Sequence, residues 1–327
     1  MTASSGMVRA RPVKPLGRRI WEARWCYLFM LPGIVLSVLF SLWPVVASWY
    51  YSLFNWDGIN KVMYWAGLNN YRELVHDPTF WADFGRSFLF MVVTVPLEVG
   101  LALLVAVVLN DRSLRLAPLY RTLFFLPVVM TTAIMGIAMQ FVFAAYQGPV
   151  NEALQALHLI KAPVSWLGQP STVMATAIII FVWKWMGQPM IYWLAALQTV
   201  PSDLYEAARV DGARGWERLR SITVPLVAPF GAIIVFIIAV GNLNVFAFLQ
   251  ALTGGGPDYA SETMELFIYR WAFGAATGGA SGTSLRLGYA SAAAIFFGLA
   301  VMLIALPQIG LVARLRQRGF SLGRSIS

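Results

Sequence analysis

The sequence predicts an all-α, polytopic membrane protein with six transmembrane helices. Three observations lead there. Of the 327 residues, 59% are hydrophobic and only 12% charged. A soluble domain carries about 25% charged residues, so this chain lacks the material for a polar shell. Six apolar runs reach the roughly 20 residues needed to cross a bilayer. Finally, the basic residues alternate loop by loop in the manner that sets membrane orientation. Disorder is excluded by the mean hydropathy of +0.67, because disordered chains have low hydrophobicity.

The runs follow in order. The first, about residues 26–54, is too long for a signal-peptide core and has no small-x-small cleavage site, so it is expected to stay as an anchor. The others cover about residues 87–109, 119–145, 173–197, 225–252 and 287–311. The expected organisation is a basic N-terminus over 1–25, then the first helix with an exterior segment over 26–85. A core with five helices over 86–311 and a tail over 312–327 complete it. The Gly/Ala/Ser/Thr run Gly274–Ser284 reads as an exterior spacer.

The net charge of +9 comes mostly from arginine, 20 Arg against four Lys. In a soluble protein such a charge would hint at nucleic acid. In an apolar chain it sets orientation, and no nucleic-acid partner is expected. Seventeen basic residues fall in the N-terminus, the second-to-third and fourth-to-fifth connections and the tail, against six in the other three connections. The first group includes Arg9, Arg11, Lys14, Arg18, Arg19, Arg112, Arg115, Arg121 and Arg324. Positive-inside asymmetry therefore places both termini in the cytoplasm, as a multi-pass protein surrounded by membrane lipid.

Nothing in the chain points to covalent chemistry. Cys26 is alone, and His76 and His158 are far apart. There is no HExxH, CxxC or GxSxG, and no Lys follows a Gly, so there is no P-loop. No catalytic residue, metal site or cofactor is expected in this chain. Any ATP would be bound by a partner.

One cytoplasmic connection stands out. Between Asp203 and Arg220 lie eight charged residues of a charge-poor chain. Asp203 and Glu206 have capping-box spacing, and Leu204–Asp211 continues as helix. Gly212 interrupts it, and a second helical stretch, 213–222, leads to Pro225. Composition alone suits a solvated amphipathic connector. The detailed pattern is more specific: Glu206-Ala207-Ala208, three residues, Gly212, nine residues, then Ile222-Thr223-Val224-Pro225. It resembles the EAA motif of permease subunits of bacterial ABC importers, with Val224 where the family has Leu. Gly67-Leu68-Asn69-Asn70-Tyr71, Trp183-Lys184, Leu194-Ala195-Ala196-Leu197-Gln198 and Gly254-Gly255-Gly256-Pro257 look like the carbohydrate-uptake branch, in the subunit type of the maltose and glycerol-phosphate systems.

The resemblance implies a type I ABC importer permease fold in a bacterial inner membrane. It implies a second homologous permease subunit, two ATPase subunits carrying ATP and Mg, and an extracytoplasmic solute-binding protein that delivers a saccharide. Glu206, Ala207, Ala208, Asp211, Gly212 and Arg214 would couple to an ATPase. Met186, Gly187, Met190, Asn242 and Val245, with Lys184, would belong to the substrate pathway.

Two ionisable groups lie within expected spans, where a charge costs about 2.5–3.5 kcal/mol. Glu98, after Pro96, is read as structural, serving a broken helix or pairing with a base. Lys184 is read either as pathway-lining or as an interhelical ion pair or snorkelling amine. In the fifth span helical geometry puts Asn242 and Gln250 about 80° apart and Asn244 about 200° from Asn242, so the three cannot all face one cavity squarely. A glycerophosphodiester or sugar phosphate is the alternative cargo. An ion-coupled secondary transporter is the rival mechanism, and it would leave the charged connection unexplained.

Overall fold

In hydrocarbon every backbone N–H and C=O has to be paired within its segment, so apolar runs of this length fold as helices. The computed structural model describes residue 17 and residues 21–111, 114–274 and 285–323. Outside them lie Arg9, Arg11, Lys14, Arg18, Arg19, Arg112, Arg324 and nearly all of the expected spacer Gly274–Ser284. The chain divides into two compact units between Tyr50 and Tyr51. The first is built on α1 (Arg24–Tyr51), a 28-residue helix with a π-turn at Val38–Leu42. That wider turn sits where Pro44 would clash with the carbonyl four residues back.

The second unit opens with a hairpin, β1 (Phe54–Asn55) against β2 (Tyr64–Trp65), with Phe54 opposite Trp65. Then come α2 (Asn69–His76) and α3 (Pro78–Leu109). Asp77 caps α3, its Oδ1 accepting the Thr79 N–H at 2.8 Å. Next are α4 (Ala117–Val129), α5 (Thr132–Val142), α6 (Pro149–Ala156), α7 (Val173–Trp185), α8 (Gly187–Leu197) and α9 (Ser202–Val210). Last are α10 (Gly215–Gly241), α11 (Phe246–Leu252), α12 (Met264–Phe273) and α13 (Leu287–Gly323). Among the described residues four helices are long and apolar enough to cross a membrane: α1, α3, α10 and the first part of α13. Counting the bent pairs α4–α5 and α7–α8 as one span each makes six.

The second unit packs around α3, which α7, α8, α10 and α12 all touch. Val99, Ala102 and Ala106 of α3 meet Met190, Trp193 and Leu197 of α8 and Ile234 and Ile238 of α10. Further along α3, Phe90 meets Phe181 and Phe248, and Phe80 meets Phe267 and Tyr289. Small residues let helices approach closely. A Cβ on Gly231 would come within 2.7 Å of the Trp193 ring, and one on Gly136 within 2.7 Å of the Ala251 Cβ.

Several expectations are corrected. The run 119–145 is not a straight span: α4 and α5 meet at 98°. Pro127 removes a helix hydrogen bond, and Thr131 is extended, with φ −60° and ψ 134°. The run 225–252 is not one helix either. It ends at Gly241 and restarts at Phe246, so the angular relation calculated for Asn242, Asn244 and Gln250 does not hold. Its helix begins at Gly215 rather than Pro225, because a π-turn at Leu219–Thr223 absorbs the proline. By contrast α3 passes through Pro96 unbroken, so Glu98 serves no break in its own helix. The last helix continues past 311 to Gly323.

Candidate functional site

The charged connection between α8 and α10 folds as helix, bend, helix. The capping box expected of Asp203 and Glu206 does not form, because the helix starts two residues earlier, with Pro201 at the N-cap. Gly212 stands at the bend with φ +76°. Its N–H donates to Arg209 O at 3.1 Å and the Ala213 N–H to Ala208 O at 2.9 Å, a Schellman closure. Glu217 then accepts the Arg214 N–H at 2.7 Å and starts α10. Ala208 is buried, while Glu206, Ala207, Asp211, Gly212 and Arg214 are exposed. So are three large apolar side chains beside them, Leu204, Val210 and Trp216. Tyr205 Oη lies 3.0 Å from Thr223 Oγ1 and braces α9 against the start of α10.

Lys184, Met186, Gly187 and Met190 cluster at the 44° bend between α7 and α8. Gly187 sits so close to α4 that a Cβ would lie 2.4 Å from Phe124 O. Met190 is fully buried. Met186 lines an apolar groove of about 230 Å³ with Tyr120, Leu123, Phe124, Pro127 and Trp183. Among the described residues Lys184 has no ion-pair partner, and it does not snorkel to the surface. It is fully buried, and its Nζ donates to Pro127 O at 3.1 Å and Met130 O at 3.0 Å. The ammonium also lies 4.4 Å from the centre of the Trp185 ring.

Asn242 and Val245 lie at the break between α10 and α11. Val245 is buried in the cluster around Phe90 and Phe181. Asn242 is buried against α3, donating to Thr94 Oγ1 at 2.8 Å and to Glu98 Oε1 at 2.9 Å. Glu98 thus pairs with an amide and not with a base, one of the two roles considered for it, and its Oε2 has no hydrogen-bond partner among the described residues. The three amides near this break diverge. Asn242 is buried, Asn244 exposed and Gln250 half-buried. The residues expected to line a pathway therefore fall into two separate groups at two helix breaks, and the groove beside Met186 includes neither Asn242 nor Val245.

Sequence reasoning missed the group that holds the α10–α11 break and the ties beside it. Glu265 Oε2 accepts the Phe246 N–H at 2.6 Å and so caps α11 from α12. Burial pushes the Glu265 carboxyl up, against the pull of the backbone N–H groups it accepts from. Arg270 grips Glu262 with both ends of its guanidinium, at 2.7 and 2.9 Å. Arg86, paired with Asp83, donates to Glu262 O at 2.9 Å. The tie joins α3 to the Gly254–Pro257 loop region. Asn151 organises the connection between α5 and α7, donating to Ala144 O, Ala145 O and Val164 O and accepting from the Val164 N–H and Trp166 Nε1. Among the described residues no three His, Cys, Asp or Glu side chains converge on a metal position.

Residues 80–319 match the family described as binding-protein-dependent transport system inner membrane component. The chain is similar to the probable ABC transporter permease protein YurN of Bacillus subtilis (strain 168). It is 34% identical over 284 residues, covering 86% of this chain and 94% of that one. It is also similar to the lactose transport system permease protein LacF of Rhizobium radiobacter, 34% identical over 249 residues, 76% of this chain and 83% of that one. Its fold resembles that of a chain in a bacterial alginate ABC transporter in complex with an alginate pentasaccharide-bound periplasmic protein. The TM-score is 0.76 at 22% identity, covering 92% of this chain and 98% of that one.

Proposed function

Because the chain belongs to the family of binding-protein-dependent transport system inner membrane components, we propose that it forms half of the membrane pathway of an ATP-driven saccharide importer. It does no covalent chemistry itself. A second, homologous permease subunit completes the pathway, two ATPase subunits hydrolyse ATP, and an extracytoplasmic binding protein delivers the sugar. The chain crosses the inner membrane several times with both termini in the cytoplasm. Support for a saccharide comes from the lactose transport system of LacF and from the alginate pentasaccharide complex.

The observation that carries the coupling role is the continuity of α10. This helix starts just after Gly212 and runs unbroken from Gly215 to Gly241. At 1.5 Å per residue it is about 40 Å long. A displacement of exposed α9 by an ATPase is therefore delivered, through one rigid rod, to the Asn242 break beside Thr94 and Glu98. Gly212→Val and Glu206→Lys, each assembled with the partner subunits and binding protein in proteoliposomes, are expected to lose most or all uptake across a sugar panel. Normal uptake with substrate-stimulated ATP hydrolysis in either variant would overturn the assignment.

A further inference from the structure

Two helix breaks in this chain face one another, and a single buried cation joins them. At the first, α4 ends at Val129 and α5 starts at Thr132 after a 98° turn. The end of a helix leaves its last carbonyls without intrahelical partners, and in an apolar setting each of them is costly. At the second, α7 bends into α8 at Met186. Pro189 supplies no N–H there, and the Met190 N–H to Met186 O bond is stretched to 3.3 Å. Lys184 stands one turn before Pro189. It spends two of its three donors on Pro127 O and Met130 O, both at the C-terminal end of α4 where the corner begins. A cation at a helix C-terminus also meets the negative end of the helix dipole. Gly187 makes the approach possible, since a Cβ there would lie 3.0 Å from the Phe125 Cα as well as against Phe124 O.

We propose that Lys184 is a positioning residue, a bolt that fixes the α4–α5 corner to the α7–α8 bend so that the two move as one body when the pathway switches. The corner has no other polar tie to α7 among the described hydrogen bonds. The bolt acts on backbone carbonyls, so its effect on cargo passes through the position of Met186, Gly187 and Met190. This inference rests on the importer reading for its transport consequence and is independent of it for its geometry.

The test uses the assembled transporter in lipid nanodiscs and in proteoliposomes. Spin labels go on Ile134→Cys of α5 and Ile191→Cys of α8, both exposed, in a Cys26→Ser background. The expected distance distribution is narrow with Lys184, broad in Lys184→Met, which keeps length and loses all donors, and narrow again in Lys184→Arg. Uptake per ATP hydrolysed is expected to fall about tenfold in Lys184→Met, equivalent to about 1.4 kcal/mol of coupling. A Lys184→Met distribution that coincides with the parent overturns the bolt. A broadened distribution with unchanged uptake per ATP overturns its role in transport. Should Lys184→Met fail to insert, Lys184→Gln, with a shorter neutral donor, carries the same comparison. If the parent complex neither transports sugar nor couples ATP, the importer reading fails, and the distance arm still decides the bolt.

Discussion

Asn242, at the point where α10 breaks, donates its side-chain amide to Glu98 Oε1 in the middle of α3, at 2.9 Å. The two residues are 144 positions apart in sequence. No basic side chain takes part, so the carboxyl depends on this amide for its place in an apolar interior.

Removing the amide should therefore harm the protein more than neutralising the acid. Asn242→Leu leaves both Glu98 oxygens unpartnered and is expected to cost about 1–3 kcal/mol. Glu98→Gln keeps an acceptor for Asn242 and should stay close to the parent. Thermal unfolding of the purified complex distinguishes them. Equal melting temperatures for Asn242→Leu and the parent would show that the pair holds nothing.

The Gly187 contact gives a steric prediction. Its missing Cβ would meet the backbone of α4 at 2.4 Å, and backbone cannot rotate away as a side chain can. Gly187→Ala should cost about 1–3 kcal/mol through forced separation of α4 and α8. Gly241→Ala, with nothing within 4 Å of its Cβ, is the control and should be neutral or slightly stabilising. A Gly187→Ala protein as heat-stable as the control would mean the two helices yield freely.

At Gly212 the constraint is conformational, not steric, since nothing lies within 4 Å of its Cβ and its φ is +76°. Asn tolerates the left-handed region and a β-branched residue does not. Gly212→Asn should retain much of the uptake, and Gly212→Val should lose most of it, with both proteins present in the membrane in normal amount. The reverse order in a transport assay would mean that Gly212 is needed for close contact and not for its bend.

The contrast between Gly212 and Gly241 also says what the sequence could disclose. The Gly212 bend was legible because a Gly ends a run of good helix formers among charged residues, where nothing else decides the local structure. The break after Gly241 was not, because apolar residues continue on both sides of it. What ends the helix is distant: Glu265 capping Phe246 and α3 holding Asn242. The corner at Met130 was hidden likewise, since its carbonyls are satisfied by Lys184, more than fifty positions away. Intramembrane polar residues could be flagged as consequential from hydropathy, while their partners could not.

The last prediction concerns acid. Arg286, just before α13, holds Glu73 of α2 through two hydrogen bonds of 2.5 Å. The Arg286 hydrogen bond keeps the Glu73 carboxyl below its ordinary range. A depressed carboxyl contributes stability that is fully present above its unfolded pKa, about 4.3, and is lost as pH falls through the lower folded value. The tie between α2 and the start of α13 should therefore be intact at neutral pH and loosen below about pH 4. Half the Glu73 side chain is exposed, so solvent screening keeps the gain small and the effect local. Hydrogen exchange of peptides covering Asn69–His76, corrected for the intrinsic pH dependence of exchange, should show protection falling with acid in the parent. In Glu73→Gln the protection should already be reduced at neutral pH, with less further loss on acidification. A parent and a Glu73→Gln protein with the same protection at every pH would show that the Arg286 pair does not anchor α2.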